Sequence, residues 1–330
     1  MTIHPTITPD DGADITDAPL PVRLAWLDDR YLRSARDERL TAGLREILQV
    51  DDGGRILPVP ARDPLTGEAQ GAALIGGTGS GKTALLGRFL RSVEGFHPMT
   101  DGRSGNTIHV TVPPEATIKS LGETIARHAG YIGFTSKARG YDVWSVARHK
   151  MAERGVGLLV VDEAHHVLRR GSGRDVAGSL QSLKALLQGH GAVAVLLAGV
   201  PALAATLLED GETDRRFIKL HLRPMTEGGD DARRFAAFLD ACRLRVGLEE
   251  PDDPHLAARI AFACRGNLGD SVRLTKRILR TVLLSGSRRP TLDEAAATWS
   301  LHGQGGDGLC PFDPGDWKEL RARLMGEGRE

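Results

Sequence analysis

The strongest constraint on the fold is a glycine-rich run at residues 76–83. Its sequence is Gly-Gly-Thr-Gly-Ser-Gly-Lys-Thr, which fits the phosphate-loop pattern of two glycines that bracket four residues, followed by Lys-Thr. The run lies between an apolar stretch, 72–75, and an apolar-periodic stretch, 84–90. A strand, a glycine loop and a helix start in that order are the context that the pattern requires. This context argues against the alternative, an ordinary glycine-rich turn.

The same run predicts a binding site for ATP. Glycines let backbone amides turn towards a polyphosphate, and the N-terminus of the following helix adds partial positive charge. In this arrangement Lys82 reaches the β- and γ-phosphates, and Thr83 places a hydroxyl on Mg²⁺. The expected nucleotide-binding residues are Gly76, Gly77, Thr78, Gly79, Ser80, Gly81, Lys82, Thr83 and Ala84.

A second motif predicts hydrolysis. Residues 157–163 read Gly-Leu-Leu-Val-Val-Asp-Glu, and such a nearly continuous apolar run is typical of a central parallel strand with both faces covered. Asp162 then lies at the carboxyl end of the strand, where open α/β sheets gather their ligands, and holds Mg²⁺. Glu163 is placed to polarise the water that attacks the γ-phosphate. Two acids at a helix N-terminus are the alternative interpretation, which the phosphate loop upstream disfavours.

Composition excludes several classes of protein. The chain has 330 residues with 43 basic and 43 acidic side chains, so its net charge gives no sign of a strongly basic nucleic-acid binder. Its three cysteines, Cys242, Cys264 and Cys310, lack metal-site spacing and predict unreactive thiols in a reducing cytoplasm. The polar, acidic N-terminus does not resemble a signal peptide. One apolar stretch, 192–208, is interrupted by Gly-Val-Pro at 199–201, which favours a strand and a helix over a membrane span.

The order of the segments predicts an AAA+ ATPase. Strands alternate with helices up to about residue 225, which implies a parallel sheet, and only helical patterns follow. We therefore expect a P-loop NTPase core with a five-stranded parallel sheet flanked by helices, and a small C-terminal α-helical lid. The predicted domains are a disordered tail over 1–21, an N-terminal helix plus α/β core over 22–225, the lid over 226–312, and a tail over 313–330.

Further segments resemble a bacterial AAA+ group that includes the TniB and TnsC transposition proteins, the target-site ATPase MuB and the ExeA secretion ATPases. Ala194–Leu203 is similar to its fourth-strand signature, Asp214–Phe217 to the segment before its last strand, and Arg265–Gly269 to the start of its lid helix. Arg-Leu-Ala-Trp-Leu at 23–27 and Cys-Pro-Phe at 310–312 resemble TniB in particular. The resemblance covers about residues 22–312.

This resemblance implies further site residues. Arg215 or Arg216 is the implied arginine finger, which completes the site of a neighbouring subunit, and the doublet leaves the choice open. Two surface arginines beside a strand are the alternative. Arg273 is the implied lid arginine that senses nucleotide, and Lys276 is its rival. The fourth strand ends in Gly199, without the polar side chain that often orients water in AAA+ proteins, which is consistent with slow hydrolysis.

Local charge is the basis for predicting DNA binding. Residues 265–289 carry seven basic side chains and one acid, and such a patch can contact phosphates without reading bases. A solvated helix face is the alternative. His165 and His166, which follow the acid pair, are expected on a helix surface rather than in a catalytic role.

The resemblance and the motifs together predict an ATPase that regulates DNA transposition. With ATP it is expected to form a homo-oligomer, a ring or helical filament, on double-stranded DNA, to present that DNA to a transposase, and to disassemble on hydrolysis. The alternatives are an ExeA-like secretion ATPase and a nucleotide-gated scaffold that does not hydrolyse. Asp162–His165 also spells the motif of DEAH-box helicases, but residues after 226 show no strand pattern for a second helicase domain.

Overall fold

A computed structural model describes residues 14–168, 173–189, 191–301 and 309–326. The chain divides into two compact units, of which Ala35–Arg223 form one and the segments before and after it form the other. We call the first the ATPase core and the second the helical unit.

The ATPase core contains seven strands and eight helices among its described residues. The strands are β1 (Leu48–Val50), β2 (Ile56–Pro60), β3 (Gly71–Gly76), β4 (Thr107–Thr111), β5 (Leu158–Asp162), β6 (Ala194–Gly199) and β7 (Phe217–Leu222). The helices are α2 (Ala35–Ile47), α3 (Lys82–Ser92), α4 (Ile118–His128), α5 (Gly140–Glu153), α6 (His165–Leu168), α7 (Gly173–Leu186), α8 (Pro201–Glu209) and α9 (Gly211–Arg215).

Five of these strands form one parallel sheet in the order β4-β5-β6-β3-β7. Every residue of β3, β5 and β6 is buried. Alternate residues of a strand face opposite sides of a sheet, and here they enter two different cores. Ala73 and Ile75 pack in the cluster that includes helices α4, α5 and α7, whereas Ala72 and Leu74 pack in the one that includes α2 and α3. The predicted five-stranded parallel sheet flanked by helices is confirmed.

A small antiparallel hairpin, β1–β2, precedes this sheet. Its residues lie partly in the segment 51–71, whose glycines and prolines are typical of a loop. Proline cannot donate a backbone hydrogen bond to a neighbouring strand, and β2 contains two prolines. The sequence pattern therefore does not indicate a strand here. Ile56 is buried in the same cluster as Leu44 and Ile47, and this tertiary packing stabilises the hairpin.

The helical unit consists, in its described residues, of six helices. They are α1 (Leu20–Asp29), α10 (Asp230–Arg245), α11 (Leu256–Ala263), α12 (Leu268–Ser285), α13 (Leu292–Ser300) and α14 (Trp317–Gly326). None of the helices in the described ranges combines the length and the apolar character that a membrane crossing needs.

The division of the chain differs from the predicted domains at both ends. The N-terminal helix α1 belongs to the helical unit and not to the core, because Trp26 and Leu27 are buried in the cluster that contains helices α10 and α12. The segment 313–330, predicted as a tail, contains α14, whose Trp317 and Leu324 are buried. Residues 1–13 of the predicted disordered tail lie outside the described residues.

The cysteines carry free thiols. Burial raises the pKa of both Cys242 and Cys264 to about 12. Because the thiolate is the reactive species, both side chains act as small apolar groups of the helical unit.

One buried guanidinium ties the segment around Cys-Pro-Phe to the helical unit. The side chain of Arg259, on α11, is fully buried and uses all five of its donors. Nε and Nη2 donate to Oδ2 of Asp253 at 3.1 and 2.8 Å. Nη1 donates to the carbonyls of Pro311 and Asp313 at 2.9 and 3.0 Å, and Nη2 to that of Gly315 at 2.9 Å.

Replacing Arg259 by Met is therefore expected to destabilise the helical unit by about 3–5 kcal/mol, because it leaves a largely buried carboxylate and three carbonyls without their donor. Chemical denaturation followed by circular dichroism measures the change. Arg280→Met is the matched control: Arg280 is exposed and pairs with exposed Asp28, so its loss changes the free energy of unfolding by less than about 1 kcal/mol. Equal stability of the two variants contradicts the prediction.

Candidate nucleotide-binding site

The glycine-rich run lies where the motif predicts. Strand β3, which lies between β6 and β7 in the sheet, ends at Gly76, and helix α3 begins at Lys82. Gly79 and Gly81 have φ angles of +77° and +93°, a left-handed conformation that side chains with a Cβ rarely adopt. The loop thereby turns back over the end of β3 and leads into α3, so the partial positive charge of that helix N-terminus lies at the loop.

Lys82 is held inside this loop. Only 5% of its surface is exposed, and Nζ donates to the carbonyls of Gly76 at 2.9 Å and Gly77 at 3.2 Å. Burial lowers the pKa of Lys82, and the nearby carboxylates of Glu163 and Asp162 act in the opposite direction. The ammonium group of Lys82 therefore lies near the carboxylates of Asp162 and Glu163.

Thr83, in the first turn of α3, contacts Asp162, the last residue of β5. Oγ1 of Thr83 donates to Oδ2 of Asp162 at 2.7 Å, and Asp162 is fully buried at the end of β5. A hydroxyl and a carboxylate oxygen side by side are the hard oxygen ligands that Mg²⁺ prefers. The structure thus places both predicted metal ligands at one point.

Glu163 occupies a strained turn directly after β5. Its φ angle is +56°, an uncommon conformation for a residue other than glycine that costs of order 1–3 kcal/mol. The backbone N–H of Glu163 donates to Oδ1 of Asp162 at 2.9 Å, and that of Ala164 to the carbonyl of Ala198 at 2.8 Å. These bonds fix the turn.

Arg36, which the sequence analysis did not single out, hydrogen-bonds to the phosphate loop. It is buried on α2, and its guanidinium donates to the carbonyls of Ser80 at 2.9 Å and Arg223 at 2.6 Å. In the sequence Arg36 is one of several arginines in an Arg-rich helical segment. No local pattern distinguishes it from the exposed ones.

Arg215 and Arg216, the two adjacent candidates for the arginine finger, lie in different environments. Arg216 is mostly buried and forms ion pairs with Glu68 and Glu212. Arg215, at the end of α9, is exposed, and within the described ranges it forms no ion pair or side-chain hydrogen bond. The sequence leaves both as candidates for the arginine finger, and that choice stays a prediction; of the two, Arg215 has the exposed side chain.

The predicted lid residues lie on α12 in the helical unit. Arg273 is exposed and pairs with Asp270 at 3.2 Å, while Nζ of Lys276 donates to the carbonyl of Asp28 at 2.7 Å. Burial lowers the pKa of Lys276. The role of Arg273 as a nucleotide sensor stays a prediction.

Part of the predicted basic patch is neutralised by acids from elsewhere in the sequence. Arg280 pairs with Asp28 and Arg289 with Glu249. Arg265, Arg277 and Arg288 form no ion pair with any described residue. The charge that remains for a partner is therefore smaller than the sequence count implies.

His165 lies in a different place from the one predicted. It is 6% exposed, and its Nδ1 lies 3.3 Å from Oε2 of Glu163. The ring of His166 stacks on it with centroids 4.1 Å apart. The sequence predicts a helix surface, but α6 has only four residues, too few to show a periodicity that would reveal which side is buried.

The residues present fit a nucleotide with its metal ion. Ser80, inside the loop, has a buried hydroxyl without a hydrogen-bond partner among the described residues. Buried polar groups normally have a partner, so this donor is suited to an anionic ligand. The loop, the helix N-terminus and Lys82 supply positive charge for phosphates, and Thr83 with Asp162 supplies oxygen ligands for Mg²⁺.

Comparisons with known proteins agree with this geometry. Residues 60–227 match the family model described as the bacterial TniB protein. No curated protein sequence matches the chain significantly.

Several solved structures are similar to the chain. The Aeropyrum pernix ORC1 protein in complex with DNA has a TM-score of 0.58 and 18% identity, covering 85% of this chain and 68% of that one. The Aeropyrum pernix ORC2 protein, in ADPNP–ADP complexes, has a TM-score of 0.53 and 17% identity, covering 84% and 71%. The Walker-type ATPase PABY2304 of Pyrococcus abyssi has a TM-score of 0.50 and 16% identity, covering 92% and 76%. These likenesses show the P-loop ATPase fold.

Proposed function

Because this chain belongs to the bacterial TniB family, and because its phosphate loop and paired acids are assembled in one place, we propose that it is an ATP-hydrolysing regulator of DNA transposition. In this proposal ATP-bound subunits assemble on double-stranded DNA and present it to a transposase, and hydrolysis dissolves the assembly. The contact between Thr83 and Asp162, with Glu163 beside it, is the observation that carries the ATPase part.

The first task of these residues is to bind the nucleotide. The amides of residues 76–84 and the ammonium group of Lys82 hold the phosphates, since positive charge at a helix N-terminus favours an anion. Thr83 and Asp162 hold Mg²⁺, which when bound neutralises charge on the phosphates. Arg36 keeps the loop in position through the carbonyl of Ser80.

Glu163 provides the general base. It lies one residue beyond Asp162, and its side chain is about one-third exposed, so it reaches a solvent-accessible space beside the metal ligands. A carboxylate in that position accepts the proton of an attacking water. The strained backbone of Glu163, with φ +56°, costs free energy that the packing of the core offsets.

Arg215 is proposed to complete the site of a neighbouring subunit. Its exposure and its lack of an intramolecular partner within the described ranges leave its guanidinium free to approach a phosphate of a second copy. An arginine supplied in trans stabilises the charge of the transferring phosphoryl group. Hydrolysis would thereby depend on assembly.

DNA as the partner is supported by the family and by basic side chains of the helical unit. The solved ORC1 structure is itself in complex with DNA. Here Arg265 and Arg288 are exposed and Arg277 is half-buried, and none of the three forms an ion pair with a described residue. Phosphate contacts from such side chains bind many sequences, because phosphates carry no sequence information. The proposed partners, double-stranded DNA and a transposase, place the cycle in the cytoplasm.

The test is DNA binding by the purified protein with ATP, with ADP and without nucleotide. We expect tight binding only with ATP, together with a shift to a higher oligomer in analytical ultracentrifugation. Lys82→Ala is expected to lower DNA affinity in ATP by more than about 10-fold, because it removes the charge that holds the phosphates. Lys219→Ala, on β7, is the control, because Lys219 pairs with Asp214.

Two outcomes contradict the proposal. If ATP changes neither oligomeric state nor DNA affinity, the transposition function fails. If the protein hydrolyses ATP but does not bind DNA in any nucleotide state, an ExeA-like or other protein-directed ATPase is the correct class.

The salt dependence of DNA binding tests the role of the helical unit. We expect the double variant Arg277→Ala, Arg288→Ala to reduce the slope of log affinity against log salt by ~2, since each phosphate contact contributes ~1. Arg280→Ala serves as the control because Arg280 is paired with Asp28. Equal slopes for the wild-type protein and the double variant exclude these residues from the DNA contact.

A further inference from the structure

Three side chains that can ligate a transition metal ion lie together directly after β5. One ligand atom from each of Glu163, His165 and His166 lies within 4.8 Å of the other two. The two imidazole rings are stacked with their centroids 4.1 Å apart, so they lie side by side next to the carboxylate. Among the described residues, no other group of three histidine, cysteine or acidic side chains is as compact.

One pair in this cluster already has the spacing of two metal ligands. Zn²⁺ binds imidazole nitrogen and carboxylate oxygen at ~2.0–2.2 Å with tetrahedral angles, which places two ligand atoms about 3.3–3.5 Å apart. Oε2 of Glu163 and Nδ1 of His165 are 3.3 Å apart. The third ligand atom has to approach by no more than about 1.5 Å to complete a tetrahedral set, and the side chain of His166 is half-buried, so its ring can rotate.

The donor atoms select the kind of ion. Two imidazoles and one carboxylate form a ligand set that zinc uses in proteins, with the fourth position open to water. Mg²⁺ prefers oxygen ligands, and imidazole suits zinc and its neighbours in the transition series. The cluster therefore differs in chemistry from the oxygen pair of Thr83 and Asp162.

The backbone holds the cluster in place. The N–H of His166 donates to the carbonyl of Glu163 at 3.0 Å, and the N–H of Ala164 donates to the carbonyl of Ala198 at 2.8 Å. Val167, the next residue of α6, is buried in the core. Because the three ligands lie on a short segment fixed in this way, little conformational freedom is lost when an ion binds.

The cluster is accessible to solvent on one side. His165 is 6% exposed, whereas the side chain of Glu163 is 32% exposed and His166 is half-buried. An ion can therefore reach the ligands from solvent and keep a water in its fourth position. A carboxylate that coordinates the ion no longer has its oxygen lone pair available to accept the proton of an attacking water.

We propose that Glu163, His165 and His166 form a binding site for Zn²⁺, and that its occupation stops ATP hydrolysis by engaging the carboxylate of Glu163. Metal binding itself does not depend on the proposed function, but the effect on hydrolysis rests on it. The phosphate loop and the Mg²⁺ ligands are separate from the site, so nucleotide binding continues with Zn²⁺ bound. Zinc would thus keep the protein in its ATP-bound state.

The first test is titration of the nucleotide-free protein with Zn²⁺ in a calorimeter. We expect one ion per chain, and we expect His166→Leu to weaken binding by more than ~10-fold, since even changes outside a ligand set cost ~10–100-fold. Glu163→Gln, of nearly the same size, is expected to weaken it in the same direction. His149→Leu is the matched control, because Nε2 of His149 lies 3.8 Å from Oε2 of Glu153 on an exposed surface, without a third ligand.

Co²⁺ in place of Zn²⁺ reports the geometry of the site. A tetrahedral Co²⁺ ion with imidazole ligands has a strong visible absorption, which distinguishes it from the hydrated octahedral ion. We expect this absorption for the wild-type protein and His149→Leu. We expect its loss in His166→Leu.

Steady-state ATP hydrolysis at a buffered concentration of free Zn²⁺ tests the regulatory effect. We expect saturating Zn²⁺ to lower kcat of the wild-type protein by ~10²-fold, the scale of a lost general base, with the nucleotide Kd retained. His166→Leu is expected to keep its turnover at the same free Zn²⁺ concentration. Without Zn²⁺, its turnover is expected to match that of the wild-type protein.

The outcomes separate this proposal from the function on which its second half rests. If the wild-type protein does not hydrolyse ATP, the proposed function fails, and calorimetry and the Co²⁺ spectrum still decide the metal site. Equal Zn²⁺ affinity of the wild-type protein, His166→Leu and Glu163→Gln indicates an adventitious ion only and overturns the site. If His166→Leu does not fold, the affinity of Glu163→Gln decides. Zinc binding at the site without loss of turnover overturns the regulatory effect.

Discussion

Glu163→Gln is expected to lower ATP hydrolysis by about 10³-fold and to leave nucleotide binding intact. The amide has the size of the carboxylate but cannot accept the proton of water, and loss of a general base has an effect of ~10²–10⁴. Phosphate release measures kcat, and titration with a fluorescent nucleotide measures Kd. Because the proposed cycle ends with hydrolysis, the variant is also expected to remain on DNA in ATP for much longer than the wild-type protein.

The control for this experiment is Glu153→Gln. Glu153 lies at the end of α5 and forms an exposed ion pair with Lys150, so its neutralisation is expected to change turnover by less than ~2-fold. Turnover by Glu163→Gln above about one-tenth of the wild-type value would show that Glu163 is not the base. Another group would then have to activate the water. Absence of turnover by the wild-type protein, in contrast, would make the chain a nucleotide-gated scaffold, with release from DNA controlled by something other than hydrolysis.

Arg215→Ala is expected to lower turnover of the assembled protein by about 10³-fold or more, the scale of an arginine finger. Its nucleotide Kd in the unassembled subunit is expected to stay unchanged, since the guanidinium serves another copy. Arg216→Ala is the matched neighbour. It removes ion pairs with Glu68 and Glu212 and is expected to lower the free energy of unfolding by about 1 kcal/mol, with a smaller effect on turnover.

Mixing two inactive variants tests the trans arrangement directly. A subunit with Arg215→Ala keeps Glu163, and a Glu163→Gln neighbour supplies an intact Arg215, so mixed assemblies regain complete sites. We expect the mixture to hydrolyse ATP faster than either variant alone. If mixing restores nothing, or if Arg216→Ala is the inactive variant and Arg215→Ala is not, the assignment of Arg215 is wrong.

The sequence signals for the nucleotide site are local. The phosphate loop and the strand before Asp162 depend on spacing and hydrophobic runs within a few residues, and the parallel sheet follows from their order. The difference between Arg215 and Arg216 depends on Glu68, a distant residue whose contact with Arg216 only the folded core creates. Patterns among residues that are neighbours in the sequence do not contain that information.

The same reasoning explains the remaining differences. Charge counted along 265–289 omits Asp28 and Glu249, which reach this segment from other parts of the helical unit. His165 follows the acid pair in a helix too short to show a buried side. Arg36 contacts Ser80 across 44 positions of sequence, and an arginine in an Arg-rich stretch carries no mark of such a contact.

Two hydrogen bonds of Arg36 connect the phosphate loop to the C-terminal end of the ATPase core. One bond holds the phosphate loop through Ser80, and the other holds Arg223, the last residue before the chain enters the helical unit. A displacement of the loop would have to move Arg223 as well or break a buried hydrogen bond, which is costly. One planar side chain thus couples two segments of the core that lie far apart in the sequence.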